Sequence, residues 1–116
     1  KMLTNNLLLC GINNVEILKG DSCELVENTF HDVVFFDPPW GLDYKNYDKK
    51  RISVGTEWIE DILLSTQCKC AVLKLPKNYD MCTFMEKLKG KYTCILQMPF
   101  DKPNSCVYVF LRKLTQ

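Results

Sequence analysis

The chain predicts an α/β domain with a mostly parallel sheet covered on both faces and an antiparallel hairpin at its C-terminal end. Three observations carry this. Short apolar runs alternate with stretches of helical spacing, the pattern of strands joined by crossover helices. One of them, Val33-Val34-Phe35-Phe36, is too short for an ordinary helix and is built of β-formers, so it suits a strand buried on both faces. The last two runs, 92–98 and 106–112, are separated by the turn-rich FDKPNS, which predicts an antiparallel pair.

Taken in order, residues 1–11 place Met2, Leu3, Leu7, Leu8 and Cys10 at helical spacing before Gly11, which predicts an amphipathic helix with a glycine stop. The alternation of Val15 and Ile17, followed by Leu18, predicts a short strand over 15–19, closed by Gly20-Asp21. Residues 22–28 read as a loop with one helical turn, and 32–40 as the strand and its exit. Residues 41–55 are polar, aromatic and basic; such a loop is either solvated surface or a lid meeting phosphates through Tyr44, Lys45, Tyr47, Lys49, Lys50 and Arg51. Residues 56–65 carry Trp58, Ile59, Ile62, Leu63 and Leu64 at helical spacing, with Thr56 as N-cap and Trp58 in the core. A second buried strand covers 70–75 and leaves through Pro76-Lys77-Asn78. A helix over 80–88, capped by Asp80 and stopped at Gly90, precedes the final pair.

At 116 residues the chain is at most one domain. Its formal net charge of +1 gives no global signal for a polyanion, and arginine occurs only as Arg51 and Arg112, which leaves little bidentate reading of phosphate or guanine. The seven cysteines are scattered, with no C-x-x-C pair, and read as small reduced core residues of an intracellular protein. The one histidine, His31, and the tight Cys68-x-Cys70 spacing argue against zinc. No run is long enough to span a membrane and no secretory leader is visible.

Chemistry concentrates at Asp37-Pro38-Pro39-Trp40. Proline fixes φ, lacks an N–H and pushes its predecessor into extended geometry, so the strand leaves through a stiff extended segment. A carboxylate, a free carbonyl and an aromatic plane then stand at the carboxyl end of a strand, where open α/β sheets bind ligands. The set suits a flat base with an exocyclic amine, its N–H groups held by Asp37 and the carbonyl of Pro38 and its ring covered by Trp40.

This tetrapeptide resembles the D-P-P-W motif of methyltransferases that modify exocyclic amines with S-adenosylmethionine. More closely, Asn5-Asn6 with Gly11-Ile12, the Gly20-Asp21 step, and DPPWG followed by LPKN resemble the RNA cap trimethylguanosine synthase family. Asp43-Tyr44 matches that family's acidic-tyrosine step; its second glycine is replaced by Leu42. The resemblance implies a Rossmann-like class I fold in which 15–19 is strand three, 33–37 strand four, 71–75 strand five and the final pair strands six and seven. It implies that 1–116 is the C-terminal two-thirds of a single methyltransferase domain. Strands one and two would be missing, supplied by a longer chain or another chain.

The same resemblance implies methyl transfer to the N2 amine of a 7-methylguanosine RNA cap. Asp37, Pro38 and Trp40 would be catalytic. Asp21 and Ser22, with Asp37 and Pro38, would hold S-adenosyl-L-methionine. Trp40, Tyr44, Pro76, Lys77 and Asn78 would bind the capped RNA, with no metal and no membrane partner. An intracellular, reducing site in nucleus or cytoplasm is expected, with a viral origin among the options. The alternatives are an N6-adenine methyltransferase of DNA or RNA and an inactive cap- or RNA-binding module.

Overall fold

The computed structural model describes residues 2–101 and 105–114. Its elements are α1 (Met2–Leu9), α2 (Ser22–Asn28), β1 (His31–Phe36), a 3-10 turn (Tyr44–Asn46), β2 (Ser53–Val54), β3 (Glu57–Trp58), α3 (Ile59–Ser65), β4 (Cys68–Pro76), α4 (Met81–Leu88), β5 (Tyr92–Phe100) and β6 (Cys106–Lys113). Four strands form one sheet in the order β1-β4-β6-β5, and β2 and β3 form a separate small hairpin.

The mostly parallel, Rossmann-like sheet expected from the sequence is not what forms. Only β1–β4 is parallel, with Val33 beside Cys70 and Phe36 beside Leu73, while β4–β6 and β5–β6 are antiparallel. The chain supplies a single crossover between parallel neighbours, the one through α3, so the sheet is mixed. The expected strand over 15–19 is absent: these residues run unpaired, with Val15, Ile17 and Leu18 exposed. A strand is held by a neighbour, and none lies beside them.

One face of the sheet is covered. Ala71, Leu73 and Leu75 of β4 and Val109 and Leu111 of β6 point to it, and α3 and α4 lay Ile59, Ile62, Leu63, Phe84 and Leu88 over them in one cluster. The other face carries Phe35, Val72, Phe110, Leu96 and Met98 and stays largely open. Val33 and Phe35 are 60% and 56% exposed. Strand β1 is therefore an edge strand with one packed face, and not a strand buried on both faces.

Local chemistry explains most element ends. Asp80 caps α4 by accepting from the Thr83 N–H at 3.1 Å and the Thr83 hydroxyl at 2.7 Å, as its position predicts. Helix α1 closes with Gly11 at φ 68, where Gly11 N–H donates to the Leu8 carbonyl and Ile12 N–H to the Leu7 carbonyl. That is a Schellman cap. The helix itself buries none of its residues. Residues 22–28 form a full helix because Asp21 caps it, accepting from the Cys23 N–H at 2.9 Å.

Helix α3 begins later than its spacing suggests. Gly55-Thr56 forms the turn of the β2–β3 hairpin, in which Val54 faces Glu57 and Ser53 faces Trp58. Thr56 is consumed there, and Trp58 takes the cap position without a side-chain bond. Trp58 is not in the core; its exposed ring lies under the Arg51 guanidinium at 4.0 Å. Of the seven cysteines, all free, only Cys68 and Cys106 are buried. Of the connection between β5 and β6, residues 102–104 lie outside the described residues. No described helix is long and apolar enough to cross a membrane.

Packing sets a contrast that chemical denaturation can read. Phe84→Ala, emptying a site at 0% exposure, is expected to cost about 3–5 kcal/mol, whereas Leu8→Ser on bare α1 should stay within about 0.5 kcal/mol.

Candidate functional site

Strand β1 ends at Phe36, and the next four residues leave the sheet as exposed Asp37, buried Pro38, exposed Pro39 and half-buried Trp40. Strand β4 continues to Pro76, beyond the last β1 partner, Leu73. Its surplus residues form a shelf for the exiting chain. The Trp40 indole N–H donates to the Lys74 carbonyl at 3.2 Å. Tyr44 meets Trp40 edge to face, with centroids 4.9 Å apart at 75°. Trp40 is partly buried against the core, and its ring also lines a cavity. Gly41, at φ 89, turns the chain next to it, and a Cβ there would stand 3.4 Å from the Asp43 carboxylate.

Two cavities share Asp37, Pro38 and Pro39 as a wall. One, of about 260 Å³, has an otherwise apolar lining that includes Val34, Phe36 and Ile59, with Ser22 and Cys23 at the start of α2. The other, of about 490 Å³, is lined by Trp40, Gly41, Leu42, Tyr44 and Lys74. The two cavities thus adjoin at Asp37, Pro38 and Pro39.

The residues expected at the site divide accordingly. Asp37 and Pro38 border both cavities, Ser22 the first, and Trp40 and Tyr44 the second. Asp21 lines neither; its carboxylate is spent as the cap of α2. Burial, followed by the charges of Asp21 and Glu57, holds the Cys23 thiol above its ordinary value, so it stays protonated. Pro76, Lys77 and Asn78 also line neither cavity. Pro76 is buried beside Cys106, Lys77 pairs with Asp101, and the Asn78 amide donates to the carbonyls of Tyr44 at 2.7 Å and Tyr47 at 2.8 Å.

Residues 41–55 are neither a freely solvated loop nor a detached lid. Lys50 N–H donates to the Asn78 carbonyl and Asp80 N–H to the Lys50 carbonyl, both at 2.8 Å, and Ile52 enters the core. Behind them lies Glu60, 0% exposed, accepting from the Tyr79 hydroxyl at 2.6 Å and from Arg51 at 3.3 Å. Arg51 Nε is buried without a partner among the described residues. Lys74 and Glu60 were not singled out by sequence. For Glu60 a signal existed, since it stands one helical turn before Leu63 on the buried side of α3. No cluster of metal-ligating side chains occurs among the described residues.

The Glu60 network has a measurable weight. Glu60→Ala would strand the Arg51 cation and the Tyr79 hydroxyl, at an expected cost of about 3–5 kcal/mol in denaturant unfolding. Tyr79 is held above its ordinary value of 10.0 by burial and then by Glu60. A folded-state value above the unfolded one contributes stability that is complete below pH 10.0 and is lost as pH rises past it. Alkaline unfolding should accordingly lose part of its slope in Tyr79→Phe.

No protein-family model matches the chain. It is 35% identical over 98 residues to a protein of Acanthamoeba polyphaga mimivirus named "Uncharacterized protein L320", the match covering 78% of this chain and 38% of that protein. The chain spans under two fifths of the length of the curated relative it matches.

Proposed function

We propose that the turn after β1 is the centre of an S-adenosylmethionine-dependent methyltransferase acting on an exocyclic amine, the N2 amine of a 7-methylguanosine RNA cap. The observation that carries the reading is that Asp37, Pro38 and Pro39 line two adjoining cavities. Direct group transfer needs donor and acceptor to meet in line, and a segment stiffened by consecutive prolines where two cavities adjoin can hold both.

The smaller cavity fits the adenine end of the donor, being apolar with the Ser22 hydroxyl at its border. Ser22, Asp37 and Pro38 would hold that molecule, and Asp21 would act through the helix it caps. When bound, S-adenosylmethionine supplies an electrophilic methyl group. Asp37 and the Pro38 carbonyl accept the amine hydrogens and so orient the nitrogen lone pair. A strong general base is not demanded, because an alkylated exocyclic amine gives up its proton readily to water or to a carboxylate.

Trp40 and Tyr44 suit the acceptor ring. The 7-methylguanine ring is cationic, and an indole face gains roughly 0.5–2 kcal/mol from it over a neutral base. Capped RNA is the proposed partner. The bare edge of β1 and the open sheet face also leave room for further protein, from the same longer chain or from another. A reducing intracellular compartment agrees with seven free cysteines.

The test offers labelled S-adenosylmethionine with three acceptors, 7-methylguanosine-capped RNA, plain guanosine-capped RNA and an adenine-bearing oligonucleotide, followed by digestion to nucleosides. Label in N2-methylated 7-methylguanosine alone is expected. Asp37→Ala should lower kcat by about 10²-fold or more, and Trp40→Ala should remove the preference for the 7-methylated cap. Label in adenine would replace the cap by an adenine N6 acceptor. Cap binding without label would leave a binding module.

A further inference from the structure

We infer that Asn78 is a positioning residue for the acceptor ring, holding Tyr44 against Trp40 through the backbone of the 3-10 turn. This rests on the acceptor reading of the Trp40 cavity, though its structural part can be tested without it. The sequence placed Asn78 in contact with substrate. The geometry assigns its side-chain nitrogen elsewhere, to the carbonyls of Tyr44 and Tyr47 at 2.7 and 2.8 Å.

Those bonds matter because the turn has little else to fix it. A 3-10 turn of three residues is weak by itself, and its own bonds, Asn46 N–H to Asp43 and Tyr47 N–H to Tyr44, are internal to residues 43–47. The described bonds from these carbonyls to the rest of the fold go to Asn78, which sits in the turn two residues beyond the end of β4. Tyr44 in turn sets one side of the cavity and stands edge-on to Trp40. An amide is needed for this: it offers two hydrogens from one nitrogen, so one side chain can hold both carbonyls. The chain beyond stays attached without it, since Lys50 is tied to the backbone of Asn78 and Asp80. Losing the amide should therefore loosen residues 44–47 and leave the fold in place.

The test compares the protein with Asn78→Asp, which keeps the shape but removes both donors, and with Asn78→Ala. For each, the Trp40 indole N–H resonance, assigned with Trp40→Phe, and amide exchange at Tyr44 and Tyr47 are recorded. With these go KM for a 7-methylguanosine-capped dinucleotide, kcat, and affinity for S-adenosylmethionine. The expected result is a shifted indole resonance, faster exchange at 44–47 and a KM raised about tenfold or more, with cofactor affinity unchanged. Unchanged resonance, exchange and KM would overturn the inference. So would a raised KM accompanied by falls in both kcat and cofactor affinity, or unfolding of both variants, because each means a global and not a local role. If the unaltered protein neither binds nor methylates the cap, the proposed function falls, while the resonance and exchange data still decide whether Asn78 sets Tyr44 against Trp40.

Discussion

Everything at the candidate site depends on β4 outlasting its parallel neighbour. Strands β1 and β4 run together from His31–Cys68 to Phe36–Leu73, and then β1 stops while β4 goes on through Lys74 and Leu75 to Pro76. Parallel pairing puts both carboxyl ends at one edge of the sheet. Pro38 and Pro39 have no N–H to offer the ladder, so the β1 chain cannot keep to its neighbour and peels away. The Lys74 carbonyl is left facing that gap, and the Trp40 indole takes it. The tryptophan is thus set by a backbone atom of the most enclosed strand, and its orientation is inherited from the sheet.

Much of this was legible because it was local. Pro-Pro after an apolar run announces a strand exit whatever surrounds it, Asp80 announces a helix start, and FDKPNS between alternating runs announces a hairpin. The readings that failed needed knowledge of neighbours. Residues 15–19 have strand composition and lie exposed, because β-propensity expresses a half-buried pleated surface more than an intrinsic backbone choice. Strand β1 looked doubly buried from four apolar residues, yet Val33 and Phe35 face the open side. Trp58 has helical spacing with Ile62, but a tight turn at Gly55-Thr56 competes for the same residues and wins.

The site legible from motif is also split differently from expectation. Asp37, Pro38, Trp40 and Tyr44 converge on shared cavity walls, while Pro76, Lys77 and Asn78 lie outside the linings of both cavities. Pattern matching finds residues that recur together; it does not say which of them touches a ligand and which holds the others. Asn78 is of the second kind, and Glu60, which no motif marked, acts in the same way. A buried Glu60 accepting from Arg51 and Tyr79 is a poor source of net stability, since desolvation offsets most of the attraction. It is a good lock, because breaking it leaves the Arg51 cation and the Tyr79 hydroxyl without their partner, and what it locks is the segment that follows the Trp40–Tyr44 pair.

This division bears on what kind of chemistry such a wall can serve. One exposed carboxylate, one proline carbonyl and one oriented ring are weak as acid–base machinery. They are stronger as a geometric constraint: the proline that follows restricts the Asp37 backbone, Pro38 is buried, and Trp40 is held by the β4 backbone and by Tyr44. Reactions limited by bringing an amine into line with an electrophile gain most from such fixing, since effective molarity depends steeply on angle and distance. Reactions limited by proton transfer gain little. The stiffness that the two prolines give the turn is therefore the physical ground on which the proposed alkyl transfer rests.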